Sequence, residues 1–136
     1  MNLRLLDYRA MRTVFQPDEN LIEKIVGSNK ISDLPIVFGY IFPDEAPFNE
    51  YYVHIQIELD LSKKEQEDSG MLAVDMLFRF ETEKEIDIDQ QKTIEDRDDE
   101  IKITYPFFRN YISDLFKISG FQQVHLPLIQ INDQIV

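Results

Sequence analysis

Alternating apolar and polar side chains mark residues 51–61 more clearly than any other part of the chain. Every second side chain here is aliphatic, and the positions between carry polar groups or tyrosine. A period of two places successive side chains on opposite faces of a β-strand, so one face is predicted to be buried and the other hydrated. The buried face consists of Val53, Ile55, Ile57, Leu59 and Leu61, and the hydrated face of Tyr52, His54, Gln56, Glu58 and Asp60.

A second alternating segment covers residues 71–82, after a polar connection over residues 62–70 that ends in glycine. Two alternating strands joined by a polar turn predict an antiparallel hairpin. Leu77 is the one exception to the alternation. The predicted inward side chains are Leu72, Val74, Met76, Phe78 and Phe80, and the predicted outward ones are Ala73, Asp75, Arg79 and Glu81.

The residues before the hairpin predict two weaker strands, over residues 8–15 and 34–42. The first has no clean apolar face, whereas the second is apolar on both sides and could be a central strand or one covered by a partner. The residues between them predict either a short helix, capped at Asp18 and ended by Gly27, or an ordered loop. Residues 42–50 carry two prolines and are predicted to be a connection.

The chain becomes strongly acidic over residues 81–100, with ten acidic and three basic residues. Apolar side chains are sparse there, so we expect a largely solvated segment, which could also extend the hairpin. Helical spacing follows, in the apolar set Phe108, Tyr111, Ile112, Leu115 and Phe116.

Both ends of this helix have recognisable signals. Pro106 suits its first turn, although a kinked helix that begins near Ile101 is also possible. Gly120 lies where a left-handed cap belongs, and Phe121 after it can fold back on the last turn. The remaining apolar stretch is interrupted by Pro127, so it is predicted to be an extended segment lying on the rest of the protein.

Composition narrows the class of protein. The 136 residues fit a single domain, and 43% hydrophobic residues are enough to fill its core. The absence of cysteine removes disulfides, cysteine-ligated metals and thiol catalysis. A net charge of −12 argues against nucleic acid and anionic membrane surfaces as partners. Because no stretch approaches the ~20 apolar residues of a spanning helix and charges interrupt the N-terminus, we expect a soluble, cytoplasmic protein.

The candidate chemical groups do not form a recognisable catalytic or metal-binding motif. The two histidines, His54 and His125, are far apart in sequence, and the acidic run lacks the glycine and the terminal glutamate of a calcium loop. No serine lies in a nucleophile elbow, and no glycine-rich loop could hold a phosphate. We therefore expect no enzyme, no metal and no cofactor. An enzyme would require a pocket that brings His54 or His125 to a buried carboxylate.

The apolar tail after the helix has two interpretations. It could be ordinary core, or it could form one wall of a groove or an oligomer contact, because one helix covers only part of the sheet.

The C-terminal segment resembles the bacterial export chaperone SecB and its SecB-like relatives. In that family an aromatic–proline helix start with a downstream arginine leads to a glycine–phenylalanine cap and then to an apolar loop. The agreement is close over about 30 residues and looser over the hairpin and the N-terminal residues. The matching residues are Tyr105-Pro106-Phe107-Phe108-Arg109, Ile112-Ser113-Asp114-Leu115, Gly120-Phe121 and Gln123-Val124-His125-Leu126.

The resemblance implies an α+β fold over residues 1–136, with a four-stranded antiparallel sheet, one long C-terminal helix and an apolar loop. It further implies an ATP-independent holdase that assembles as a dimer or tetramer and binds unfolded or partly disordered polypeptide in apolar grooves. The negative charge would favour clients with basic flanks. Carried over by motif position, the groove residues are Phe121, Val124 and Leu126, continued by Leu128 and Ile129.

A translocase motor is a further partner that the resemblance implies. Acidic residues on the exposed sheet face (Glu58, Asp60 and Asp75) are candidates for that contact, and their plain alternative role is solubility. SecB carries a C-terminal tail that engages the SecA motor, whereas this sequence ends at Val136, soon after the motif. Many SecB-like relatives serve a toxin–antitoxin pair or have no assigned client, so a role in export does not follow from the resemblance. The alternative function is therefore an adaptor for one dedicated partner, such as an antitoxin-type client.

Overall fold

The computed structural model describes residues 3–62, 70–121 and 123–129. Four strands form one antiparallel sheet in the order β1-β4-β3-β2, with helices packed on it, so the predicted α+β class is confirmed. In chain order the elements are β1 (Leu3–Gln16), α1 (Glu19–Val26), β2 (Ile36–Ile41), β3 (Phe48–Asp60), β4 (Met71–Ile86), α2 (Gln91–Arg97) and α3 (Asp99–Ile118).

The central hairpin, β3 and β4, follows the predicted alternation. Val53 lies opposite Phe78, and Ile55 opposite Met76, in an antiparallel register. These side chains face α3 and are fully or almost fully buried.

One outward position of the hairpin departs from the prediction. Ala73 was predicted to face solvent, but it is 0% exposed. Ala73 lies on the central strand β4, opposite Val14 of β1 and Glu58 of β3. Because these neighbouring side chains are larger than alanine, they cover its methyl group. The prediction of exposure is therefore wrong at this position, although Ala73 does lie on the outward face.

The first strand is confirmed and is longer than predicted. Two register shifts in its pairing with β4 each insert one extra residue, Leu6 and Met11. An inserted residue reverses which face the following side chains occupy, and this explains why no clean apolar face is visible in the sequence.

The second predicted strand is β2, and it lies at the opposite edge of the sheet from β1. Its outward side chains Val37 and Ile41 are 52% and 50% exposed. The central-strand interpretation of this segment is therefore wrong.

Helix α1 begins and ends where the sequence predicted. The Asp18 side chain accepts a hydrogen bond from the Leu21 N–H at 2.8 Å, and Gly27 is the C-cap. Gly70, at the start of β4, approaches the same cap closely. A Cβ on Gly70 would lie 2.6 Å from both the Asp18 carboxyl oxygen and the Gln16 carbonyl oxygen, so only glycine fits there.

The acidic segment is more ordered than predicted. Strand β4 continues to Ile86, and α2 follows after one 3₁₀ turn. Ile86, Ile94 and Ile101 are 1%, 1% and 2% exposed, so these sparse apolar side chains anchor the segment to the core. Helix α3 accordingly begins at Asp99, and Pro106 lies inside it rather than in its first turn. The structure therefore confirms the alternative in which the helix begins near Ile101, before Pro106.

Aromatic contacts place α3 across the sheet, from one edge strand to the other. Between ring centroids, the distances are 5.0 Å for Tyr8–Phe107, 4.9 Å for Phe15–Phe116 and 6.3 Å for Phe38–Tyr105. The face of α3 that points away from the sheet is therefore left for other contacts. No helix in the described ranges is long and apolar enough to span a bilayer.

Candidate functional site

The end of α3 reverses the direction of the chain. The Gly120 N–H donates to the Lys117 carbonyl at 3.1 Å, and the Phe121 N–H donates to the Phe116 carbonyl at 2.8 Å. These two bonds are the Schellman pattern, and Gly120 has the left-handed φ of 95° that this pattern requires. The predicted glycine–phenylalanine cap is therefore confirmed.

After the cap, residues 123–129, here called the return segment, run back along α3. Three side chains of the helix, spaced four residues apart on one face, hold the segment in place. The bonds join Ser113 Oγ and His125 Nδ1 at 2.8 Å, Arg109 Nε and the Leu126 carbonyl at 2.7 Å, and Tyr105 Oη and the Pro127 carbonyl at 2.6 Å. The predicted extended segment is thus present and fixed to the helix.

The five predicted groove residues divide into two groups. Val124 and Leu126 are 5% and 1% exposed and belong to the core, and they alternate with the exposed residues Gln123 and His125. In an extended segment alternate side chains point the same way, so these two face inward. They are therefore not accessible groove residues in this chain, which corrects that expectation.

The other three predicted residues are accessible. Leu128 is 64% exposed, Phe121 is 38% exposed, and Ile129 is partly buried against the core. Leu128 and Ile129 lie on one wall of a surface groove, whereas Phe121 lies at the turn after the cap.

This groove, here called the α3 groove, runs between the outer face of α3 and the return segment. It consists of two depressions, of about 380 Å³ and about 360 Å³, which share Arg109 and Asn110. The first is lined by Lys102, Tyr105, Pro106, Arg109, Asn110, Leu128 and Ile129. The second is lined by Arg109, Asn110, Ser113, Asp114, Lys117, Gln123 and His125.

The dimensions and lining of the α3 groove suit an extended chain. From Lys102 to Lys117 the helix rises about 22 Å, which an extended peptide spans with about seven residues. One end offers apolar contact at Pro106, Leu128 and Ile129, and the other offers polar groups, including the Asn110 amide. Such a lining can bury apolar side chains and hydrogen-bond to a peptide backbone.

Sequence reasoning missed the polar residues of this site. Arg109 and Tyr105 were noted as part of a motif, but their bonding to main-chain carbonyls was not foreseen. The available signal was the four-residue spacing of Tyr105, Arg109 and Ser113. Carbonyl acceptors, however, occur at every residue and leave no pattern in a sequence.

A buried carboxyl group lies at the start of α3, in the core and not in the groove. Glu100 is 0% exposed and accepts hydrogen bonds from Tyr40 Oη at 3.1 Å and Tyr51 Oη at 2.8 Å. Burial, together with the neighbouring Glu100 carboxylate, raises the pKa of both tyrosines above the ordinary value. These hydroxyls therefore stay protonated and act as donors.

The histidines are not brought to this carboxyl group. His54 lies on the outward face of β3, and His125 bonds Ser113 through Nδ1. In Ser–His–Asp triads the serine instead meets Nε2. Within the described ranges, no group of three or more His, Cys, Asp or Glu side chains is placed to hold a metal ion.

The acidic residues predicted as a partner-binding face lie on the outward side of the sheet. Glu58 and Asp75 are both next to Arg12, which is 4.0 Å from the Glu58 carboxylate and opposite Asp75 in the register. Asp60, at the end of β3, accepts hydrogen bonds from Ser62. The sheet thus brings Glu58 and Asp75 together and partly neutralises them.

Comparison with known proteins identifies a structural relative. No protein-family model and no curated protein sequence matches the chain. The Mycobacterium tuberculosis Rv1957 SecB-like chaperone, solved in complex with a ChAD peptide from the Rv1956 HigA1 antitoxin, has a similar structure. The TM-score is 0.56 at 16% sequence identity, over 94% of this chain and 90% of that chain.

This similarity establishes the fold. The chain has the four-stranded antiparallel sheet and long C-terminal helix of a SecB-like chaperone, as the resemblance of its C-terminal segment implied. The structural relative is described as a SecB-like chaperone. Because one fold serves several functions, the function of this chain has to be argued from its own groove.

Proposed function

We propose that this protein is an ATP-independent, cytoplasmic holdase that binds unfolded or partly disordered polypeptide along the α3 groove. The observation that carries the proposal is an exposed apolar side chain, Leu128, on the wall of a groove long enough for an extended peptide. Apolar contacts of this kind do not depend on sequence. The complex of the structural relative with an antitoxin peptide supports polypeptide as the class of ligand.

Each apolar contact is expected to contribute only a small part of the binding free energy. Full burial of a leucine side chain contributes about 1.5–3 kcal/mol, and association has its own entropic cost. After that cost is subtracted, several such contacts along a client give dissociation constants of about micromolar or weaker. Weak, sequence-tolerant binding is suited to a holdase, which has to release its clients without nucleotide hydrolysis.

The burial pattern assigns different roles to the predicted groove residues. We propose that Phe121, Leu128 and Ile129 contact the client, whereas Val124 and Leu126 fix the return segment to the core. Leu126→Asp would therefore unfold the protein instead of testing the groove.

The experiment measures suppression of aggregation of an unfolded client by light scattering. The test variant carries Leu128→Asp and is expected to lose most of the protection. Ile88→Asp is the matched control, because Ile88 is 65% exposed, against 64% for Leu128, and lies beside α2 outside the groove. Equal protection by the two variants, or none by the parent protein at micromolar concentration, would contradict the proposal.

We also propose that the protein forms a homo-oligomer through the outer edge of β1. Among the described residues this strand pairs only with β4, and Met11 at its second register shift is 55% exposed. Unpaired edges are templates for association with another strand. Met11→Glu is expected to lower the mass in sedimentation experiments, whereas Val37→Glu, at a 52% exposed position of β2, is not. If Val37→Glu lowered the mass and Met11→Glu did not, the contact would lie at β2 and the proposal would be wrong.

A dedicated adaptor is the second candidate function, favoured by the antitoxin peptide in the relative's complex. A holdase is expected to protect several unrelated unfolded clients, whereas an adaptor binds one partner and protects none of the others. Aggregation assays over a panel of clients therefore separate the two functions.

Contact with a translocase motor through Glu58, Asp60 and Asp75 is a further proposal. It predicts that charge reversal at Glu58 and Asp75 weakens binding to the motor while client protection is unchanged.

A further inference from the structure

The charge of the α3 groove is opposite to that of the whole chain. The chain has a net charge of −12, but the groove lining contains three cationic side chains, Lys102, Arg109 and Lys117, and one acidic side chain, Asp114. The cations lie seven and eight residues apart along α3, so they follow its whole outer face.

None of the ion pairs found between described residues involves Lys102, Arg109 or Lys117. The ion pairs between described residues lie on the outer face of the sheet or, as in Arg97–Asp99, next to α2. Asp98 lies one turn before Lys102; burial raises its pKa, and Lys102 opposes that shift. Arg109 uses Nε for the return segment and lines both depressions of the groove.

Local charge dominates over net charge for a ligand inside the groove. The screening length is about 8 Å at physiological ionic strength, so the acidic residues of the outer sheet face contribute little there. A carboxylate that binds along α3 would meet lysine and arginine side chains at close range.

We infer that the α3 groove selects extended polypeptide segments in which acidic side chains alternate with apolar ones. The apolar side chains would contact Leu128 and Pro106, and the carboxylates would contact Lys102 and Lys117. This inference rests on the proposed function and names its substrate class. It reverses, for the segment inside the groove, the preference for basic clients that the net charge predicts.

Short fluorescein-labelled peptides test this selection by fluorescence anisotropy at about 0.15 M salt. The peptides share the same leucines, and the positions between them carry glutamate, glutamine or lysine. We expect the glutamate peptide to bind about tenfold more tightly than the lysine peptide. Lys102→Gln combined with Lys117→Gln should weaken the glutamate peptide about fivefold and change the glutamine peptide less than about twofold. Arg109 is left intact because it holds the return segment.

The matched control is Lys24→Gln combined with Lys92→Gln, which removes the same charge from exposed positions of α1 and α2. It should leave the ratio between peptides unchanged. Three results would overturn the inference: all three peptides bind equally, the lysine peptide binds more tightly, or both variant pairs have an equal effect. The holdase proposal would remain in each case. If the fraction of bound peptide falls as the protein concentration rises, self-association competes with the peptide. The occupant of the groove would then be a second copy of the protein, which would also overturn the inference. Failure of every peptide to bind at micromolar concentration would refute the proposed function itself.

Discussion

At the scale of single residues, Glu100 is the most enclosed carboxyl group in the described part of the chain. Its two oxygens accept hydrogen bonds from Tyr51 and Tyr40, and its side chain is 0% exposed. Among the described residues no buried side-chain nitrogen or oxygen lacks a hydrogen-bond partner. The tyrosine hydroxyls therefore make it possible to bury a polar group at the start of α3.

Removal of one of these donors should destabilise the protein. Tyr51→Phe leaves one Glu100 oxygen without its tyrosine partner, and we expect a loss of about 1–3 kcal/mol in the free energy of unfolding by urea. Tyr52→Phe, on the outward face of the same strand, should change this free energy by less than about 0.5 kcal/mol. A similar loss in both variants would show that the Glu100 bond is not the cause.

The same tyrosines predict a loss of stability at alkaline pH. Burial raises the pKa of Tyr40 and Tyr51 in the folded protein, so the unfolded chain releases these protons first. Their contribution is therefore complete below about pH 10 and is lost as the pH rises above that value. Urea unfolding across this range should show the decline, and Tyr40→Phe combined with Tyr51→Phe should make it shallower. An unchanged pH dependence in the double variant would contradict the assignment.

At the scale of elements, the turn after α3 determines where the return segment lies. Gly120 combines a left-handed φ of 95° with open space around its Cβ position. Any effect of a substitution there therefore comes from the backbone and not from a clash.

Gly120→Ala is expected to destabilise the protein by about 1–2 kcal/mol, measured by urea unfolding. Gly39→Ala is the matched control, since a Cβ on Gly39 also meets nothing within 4 Å and its φ is not in the left-handed region. It should be neutral within about 0.5 kcal/mol. If both variants were equally unstable, the cap geometry would not explain the result.

The elements also show where a sequence pattern is sufficient and where it is not. The period of two in β3 and β4 predicted their buried faces, because both strands pair on both sides and keep a regular register there. The same reasoning missed the face of β1, whose extra residues at Leu6 and Met11 interrupt the period. It also missed α2, because Ile94 is the one aliphatic side chain in that helix and a single residue shows no period.

At the scale of the whole molecule, excess negative charge opposes the folded state. The net charge is −12, and residues 81–100 contain ten acidic and three basic residues. Like charges repel more strongly in a compact chain than in an expanded one.

Moderate salt should therefore stabilise the protein. We expect the midpoint of thermal unfolding to rise between low salt and about 0.15 M NaCl, since the screening length shortens over that range. The ion pairs on the sheet act in the opposite direction, but exposed pairs contribute little. A midpoint that falls with added salt would show that these pairs outweigh the repulsion.

The sequence by itself determined the features that depend on neighbours along the chain. These are the buried faces of β3 and β4, the apolar face of α3, the Asp18 and Gly120 caps and the extended form of the return segment. Regular spacing or a single special residue is enough for each, because the interactions that form them lie within a few positions.

Only the tertiary structure decided which of these surfaces stay accessible. Glu100 is buried because its donors Tyr51 and Tyr40 come from positions 49 and 60 residues away. Val124 and Leu126 turn inward, and Leu128 outward, because α3 fixes the orientation of the return segment. Burial depends on what the rest of the chain places over a side chain, and the local pattern of residues does not contain that information.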